Sequence, residues 1–273
     1  MAQQIQEFQK KIYNYYNTHK RNFDWRSDIT SYKIVVSEVM LQQTQTKRVI
    51  QKFRQWLQTF PDFESLAQAT TQEVLRCWQG LGYNRRGLAL QEFAQRIVQE
   101  FDGVVPDNPE VLQTFKSIGP NTAGSICAFA FNKPVVFIET NIRTVFIHEF
   151  FKEQTNIDDK QLLPLIEQAV DRDNPREWYY ALMDYGVYLK TVVKVSNAAS
   201  KHYTKQSKFV GSARQMRGVI VKILSRVNQI SREELCELVS VELPNNTHDV
   251  EQVVTSLAAD GFLKAKNEYI QLV

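Results

Sequence analysis

Apolar residues recur at helical spacing over most of the chain, and only its last dozen residues alternate as strands do. Residues 3–19 place Ile5, Phe8, Ile12, Tyr15 and Tyr16 near one face and predict an amphipathic helix. Residues 32–60 predict a long helical stretch broken once and ended by Pro61, and helices are expected over 64–79 and 88–101. The Gly-rich loop GLGYNRRG separates the last two. Further on, helices are expected over 110–116 and 121–131, interrupted by the turn SIGPN, and over 141–151, 161–171 and 176–195. After a polar segment, SNAASKHYTKQSKF, the tail has a different character. RGVIVKILSRV is an apolar-striped helix, Ser231 to Glu234 reads as a capping box for a second, and a third runs from about His248 to Asp260. FLKAKNEYIQLV then alternates like a short hairpin. Three helices and a hairpin predict a small winged-helix-like domain.

Composition narrows the class. With 273 residues, 43% hydrophobic, the chain is long enough for one large or two modest cores, and its 16 Phe argue against disorder. Only 10 Gly and 8 Pro fit long helices better than many turns. The N-terminal stretch has no apolar run of the signal-peptide kind, and no stretch reaches the ~20 apolar residues of a membrane helix. Cys77, Cys127 and Cys236 are far apart and odd in number, which excludes a disulfide framework and a site of four cysteines. The expectation is a soluble, reduced, cytoplasmic protein, monomeric and without a membrane partner.

The net charge of +3 conceals a segregation. From Tyr185 to Arg232 there is no Asp or Glu but ten Lys and Arg, leaving 23 basic against 30 acidic residues elsewhere. A concentrated basic stretch attracts polyanions, and counterion release from phosphates supplies affinity for nucleic acid. Lys201, Lys205 and Lys208 are the candidate phosphate contacts, with His202 and Tyr203 interleaved. The tail's third helix carries Asp249, Glu251 and Asp260 and no cation, so a packing or protein-contact role is expected of it.

Two carboxylates stand out. Glu38, inside IVVSEVML, shares a helix face with Ile34, Val35, Leu41 and Gln42. Desolvation there would raise its pKa and let it hold a proton near neutrality, as a general acid must. An ordinary reading, a charged residue at the edge of an apolar stripe, remains open from this helix alone. Glu139 stands where the apolar run PVVFI enters a helix, with Thr140 and Asn141 as capping candidates, and an ordinary N-terminal carboxylate would look the same. The turn FKSIGPNTA, just before an apolar helix, presents backbone N–H groups that could face an anion.

In their order and spacing these pieces resemble the helix-hairpin-helix DNA glycosylases, most closely the MutY type of adenine glycosylase, over about residues 20–190. The resemblance is carried by Asp24-Trp25-Arg26, the run Ser37 to Thr44 (SEVMLQQT), Gly80-Leu81-Gly82-Tyr83, the hairpin with Ile118 and Gly119, Asn141, and Met183-Asp184-Tyr185-Gly186. It implies an all-α, two-lobed fold with a small C-terminal winged-helix-like domain appended. The glycosylase core would span 1–205 (a helical barrel at about 26–134, a second lobe from about 1–25 with 135–205), and the appended domain 206–273. It also implies monofunctional hydrolysis of adenine mispaired with 8-oxoguanine or guanine in double-stranded DNA. Glu38 would be the acid and Glu139 the second catalytic carboxylate. Trp25, Arg26 and Asp184 would line the base pocket with Asn141, and Gln42, Gln43, Thr44, Leu81 and Tyr83 would enter or brace the duplex. Another mispaired or damaged base, or an inactive DNA-binding module, are the alternatives.

The sequence departs from that family at several points. Glu139 stands where the family has Asp, and Ser117 where the hairpin has its first glycine. Asn121 occupies the position of the Schiff-base lysine of related lyases, so lyase chemistry through it is not expected. The four cysteines of the family's iron–sulfur cluster fall on Lys190, Asn197, Ser200 and Gln206, so no cluster, metal or other cofactor is expected. The tail does not resemble the family's 8-oxoguanine-sensing domain.

Overall fold

A computed structural model of the chain describes residues 2–195, 197–204 and 208–273. Its contacts fall into two compact units, Met1–Glu38 with Val105–Lys205 and Val39–Val104 with Gln206–Val273.

The first unit is helical. It contains α1 (Ala2–His19), α2 (Asp24–Ser27) and most of α3 (Ser31–Leu41). The chain returns to it with the short α8 (Pro109–Leu112), then α9 (Pro120–Phe131), α10 (Thr140–Phe150), α11 (Asp159–Ala169) and α12 (Pro175–Tyr188). The periodicity of α1 is realised as buried Ile5, Phe8, Ile12 and Tyr16. Phe8 meets Phe146 and Trp178 edge-on, with centroids 5.2 and 5.7 Å apart, the preferred aromatic geometry. Gly124 and Gly186 permit close approach of their helices to neighbouring segments: a Cβ on Gly124 would come 2.7 Å from Phe137, in the stretch between α9 and α10, and one on Gly186 would come 2.7 Å from Asn141 of α10. The helix expected over 176–195 ends earlier. After Tyr188 the backbone widens into a π-helical turn, Leu189–Val193, which the left-handed Lys194 (φ 65°) closes.

The second unit contains α4 (Thr46–Thr59), α5 (Phe63–Gln68), α6 (Thr71–Trp78) and α7 (Arg85–Glu100). The break expected within 32–60 falls at Gln43, whose φ of 52° ends α3. The single helix expected over 64–79 is two. Ala69 is extended, and Thr70 starts α6 with a reciprocal capping box to Glu73. The helix expected over 110–116 shrinks to α8 and gives way to turns from Gln113; Ser117, at φ 63°, then leads the chain into the hairpin.

The tail holds α13 (Ala213–Leu224), β1 (Ile230–Ser231), α14 (Arg232–Glu242), α15 (Val250–Ala259), β2 (Leu263–Lys266) and β3 (Tyr269–Leu272). The strands form an antiparallel sheet in the order β1-β3-β2, with Ile230 opposite Ile270 and Leu263 opposite Leu272. Helices and sheet share a core built on Ile220, Leu224, Leu235, Val254, Phe262 and Ile270, giving the expected winged-helix-like body.

The packing does not divide at 205/206, nor does 26–134 form a unit of its own. Leu75 of α6 is part of the tail's core, Arg76 Nη2 donates to Ser225 O at 2.9 Å, and Gln72 Nε2 donates to Val227 O at 2.8 Å. α6 thus supplies both apolar cover and donors for backbone carbonyls of the tail. Residues 105–134 meanwhile belong with the first unit.

Candidate active site

Within α3, Ile34, Val35, Val36, Val39 and Met40 are buried, so the helix is apolar almost all round. Glu38 is the half-buried carboxylate in that surface. Desolvation pushes its pKa up to about 7; the charge of Glu139 pushes the same way, while the Ser125 hydroxyl and Arg26 oppose it. Ser125 Oγ lies 2.5 Å from Glu38 Oε2. That bond joins α9 to α3, and no motif in the sequence points to Ser125.

Glu139 caps α10. Its Oε1 accepts from the backbone N–H of Asn141 at 2.7 Å and of Ile142 at 3.0 Å, and its Oε2 accepts from Asn141 Nδ2 at 3.1 Å. The carboxylate thus folds back onto the helix N-terminus, where the dipole favours negative charge. Asn121 has a structural task here. Its Oδ1 accepts from Ile138 N–H at 3.2 Å, tying the hairpin to the residue before Glu139. In the hairpin, Ile118 is buried, and a Cβ on Gly119 would meet nothing within 4 Å, so the turn is open on that side.

Asp184, 2% exposed, gathers two arginines. Arg26 Nη1 donates to both of its oxygens at 3.1 Å, Arg21 Nε donates to Oδ1 at 2.8 Å, and Arg21 N–H donates to Oδ2 at 2.8 Å. Partners of this kind offset the cost of taking a carboxylate out of water. Arg21 is not legible from sequence, because its partner is 163 residues away. The Arg26 guanidinium lies 4.2 Å from the Tyr180 ring centroid. Trp25 is buried and stacks on Phe23 at 4.7 Å. Among the described residues, Arg26 Nε, Asn141 Oδ1 and Tyr180 OH are buried without a hydrogen-bond partner. Such atoms are costly unless a bound molecule or water answers them.

The second unit assembles the other expected positions. Gln43 and Tyr83 adopt φ of 52° and 49°, flanked by Gly80 and Gly82 at 91° and 73°. Leu81 is buried and Tyr83 is 39% exposed. Both loops hang on Arg86, another residue the motifs do not reveal. Its Nη1 donates to the carbonyls of Val39 (2.9 Å), Met40 (3.2 Å) and Gln42, and its Nη2 to Thr44 Oγ1 (3.0 Å), Leu81 O (3.1 Å) and Gly82 O (3.0 Å). Burial lowers its pKa to about 10, which still leaves it cationic at neutrality. Arg214 of α13 donates to the Tyr83 hydroxyl at 2.9 Å, and its guanidinium sits 5.6 Å from that ring. Tyr83, Arg214, Arg48 and Arg217 line a groove of about 1100 Å³ within this unit. Asp260 lines the same groove and pairs with Arg217 at 2.5 Å, and Lys222 pairs with Glu242 at 2.8 Å, so carboxylates offset part of the charge of α13, while Arg214 faces the groove beside Tyr83.

Of the three candidate lysines, Lys201 donates to Asp158 at 3.0 Å and so is already paired, Lys208 is exposed, and Lys205 lies outside the described residues. The four positions corresponding to cluster cysteines do not suit an iron–sulfur cluster, which requires thiolates. Lys190 presents an amine whose pKa burial lowers, and Ser200 Oγ accepts from His202 N–H at 3.1 Å; Gln206 lies outside the described residues. In this segment Ile157 N–H donates to Ala199 O at 2.9 Å and Lys201 N–H to Ile157 O at 3.0 Å, a backbone staple between distant stretches. No group of three His, Cys, Asp or Glu suited to a metal occurs among the described residues.

Residues 36–170 match the family model described as HhH-GPD superfamily base excision DNA repair protein. The chain is 32% identical over 234 residues to the adenine DNA glycosylase of Mus musculus, an alignment covering 81% of this chain and 45% of that one. It is 29% identical over 273 residues to the adenine DNA glycosylase of Mycobacterium tuberculosis (strain ATCC 25618 / H37Rv), covering 91% and 88%. The chain thus spans about half the length or less of the mammalian relatives it matches. Among solved structures, a thermostable thymine-DNA glycosylase superposes with a TM-score of 0.64 at 23% identity, over 71% of this chain and 90% of that one, a likeness of fold.

Proposed function

The chain belongs to the HhH-GPD superfamily of base excision DNA repair proteins, and from that premise we propose that it is a monofunctional glycosylase that hydrolyses the N-glycosidic bond of adenine mispaired in duplex DNA. The observation that carries the reading is the carboxyl of Glu38, shifted by burial to about 7 and coupled to the charge of Glu139. Two carboxyls of unequal environment can divide acid and electrostatic roles. Glu38 protonates a ring nitrogen of the base, so that the glycosidic electron pair leaves with a neutral purine. The sugar develops oxocarbenium character, which the Glu139 carboxylate stabilises. Water then adds to the sugar carbon, and Glu38, now ionised, takes its proton. The target nucleotide must first leave the stack, at a cost of a few kcal/mol. Arg26 and Asn141, with buried polar atoms unanswered by protein, are the groups assigned to orient the base.

The adenine assignment draws on the names of the relatives, and the opposite base, 8-oxoguanine or guanine, is part of the same proposal. Asn121 offers no amine for a Schiff base, and the mechanism routes no step through an iron–sulfur cluster. Single-turnover assays on duplexes containing A:8-oxoguanine, A:G, T:G and U:G test the reading. Adenine release from the first two is expected; release of thymine or uracil alone would overturn it.

Lys208, which is exposed, and Arg214, half-buried against Tyr83, are assigned to the DNA backbone. Replacing Lys208 and Arg214 together by Ala should weaken duplex binding for matched and mismatched DNA alike. It should also reduce the slope of log affinity against log salt by about two, close to one for each phosphate that is no longer neutralised. An unchanged slope would remove this face from the interface.

A further inference from the structure

Ser125 sits on α9, 3% exposed, with its hydroxyl between two oxygens. Its Oγ is 2.5 Å from Glu38 Oε2 and 3.0 Å from the carbonyl oxygen of Thr122. A serine hydroxyl has one proton and accepts through its lone pairs, whereas a carbonyl can only accept. The proton therefore goes to one neighbour at a time. An ionised carboxylate outcompetes a neutral carbonyl, and a separation of 2.5 Å is in the range of a hydrogen bond to a charged oxygen. The other groups acting on Glu38 are fixed: Arg26 from α2, Glu139 ahead of α10 and the Tyr180 phenol from α12.

We propose that Ser125 is a positioning residue for proton transfer: by donating to Oε2 it reserves Oε1 as the oxygen that gives its proton to the leaving base, and it supports the carboxylate that remains. In the step, the proton moves from Oε1 to a base nitrogen, the glycosidic pair moves onto the base, and the charge left on Glu38 is met by the Ser125 O–H. When water later attacks, Oε1 is again the oxygen free to accept a proton. If the acid instead carries its proton on Oε2, the hydroxyl turns to Thr122 O and accepts from Glu38. The two neighbours thus let a single hydroxyl serve both protonation states without leaving a buried polar atom unpaired.

The inference rests on Glu38 being the acid of the proposed glycosylase, and its test has one arm that needs no substrate. The titration of Glu38 is followed by carbon NMR of protein labelled at glutamate side-chain carboxyls, with Glu38→Gln assigning the resonance. Removing the donor in Ser125→Ala destabilises the ionised form, so the midpoint should rise by about one pH unit. Ser125→Thr, which restores the hydroxyl, should return it toward the wild-type value, and Ser125→Cys, a weaker donor, should fall between. In single-turnover excision, Ser125→Ala should slow the reaction about tenfold on the acid side and move the alkaline limb upward with the midpoint. A midpoint that stays or falls in a folded Ser125→Ala protein overturns the inference, as does slower excision with an unmoved alkaline limb, the mark of packing alone. A raised midpoint in protein whose wild type releases no base upholds the Ser125–Glu38 coupling and overturns the glycosylase reading instead.

Discussion

Glu38→Gln should reduce single-turnover base excision by at least about 100-fold while leaving affinity for mismatched duplex within a factor of a few. The amide keeps the shape and can still accept from Ser125, but it has no acidic proton, and loss of a positioned general acid carries penalties of about that size. Near-normal excision by the variant would remove Glu38 from the mechanism. In the wild-type protein the rate should fall as pH rises through about 7, because only the protonated carboxyl can donate. That limb should be absent from whatever residual activity the variant retains.

The same substitution has an opposite consequence for stability. A carboxyl whose pKa is higher in the folded state than in the unfolded chain binds its proton more tightly when folded. Between the ordinary value of 4.5 and about 7 the folded protein retains the proton that the unfolded chain releases, so stability declines as pH rises through that window. Glu38→Gln removes that dependence. Thermal melts of the two proteins should diverge in favour of the variant above pH 7 and converge toward pH 4. A carboxylate that weakens the fold where it serves catalysis fits the general cost of functional sites.

Much of this was legible because it is local. The stripe around Glu38, the cap formed by Glu139 and the turn at Ser117 all follow from residues within a few positions of one another. The split between α5 and α6 was also written locally, as Thr70 and Glu73, but the apolar periodicity running through it masked the capping signal. What the sequence withheld were partners far apart in the chain. Ser125 meets Glu38 across 87 residues, Arg21 and Arg26 converge on Asp184 across 163 and 158, and Leu75 joins a core that begins at Met216. Nothing in a serine on an apolar helix, or in an arginine opening one, says which of many oxygens it will reach. Burial decides that, and burial is a property of the packed units.

Arg86 shows how much can depend on one such residue, and its replacement is expected to have the largest effect on the second unit. Arg86→Ala would remove the guanidinium that donates to the carbonyls of Val39, Met40, Gln42, Leu81 and Gly82, together with its bond to Thr44. Gln42 O and Leu81 O still share the Thr44 hydroxyl and Gly82 O keeps the Trp78 Nε1 donor, so the cost of about 1–3 kcal/mol per unanswered carbonyl falls on part of the set, and water entering the space recovers some of it. The net destabilisation should be on the order of 3–5 kcal/mol, read as a lower denaturation midpoint in urea with little change in slope. The loops released are those that hold Gln43 and Tyr83 in left-handed conformations, which neither residue adopts without support. Duplex binding should therefore weaken even at temperatures where the variant is folded. Arg86→Lys should recover less than half of the stability, since an ammonium keeps the charge but has three tetrahedral donors in place of a planar fork. If Arg86→Lys matches the wild type, the guanidinium is acting as a charge and not as the frame on which the two loops are hung.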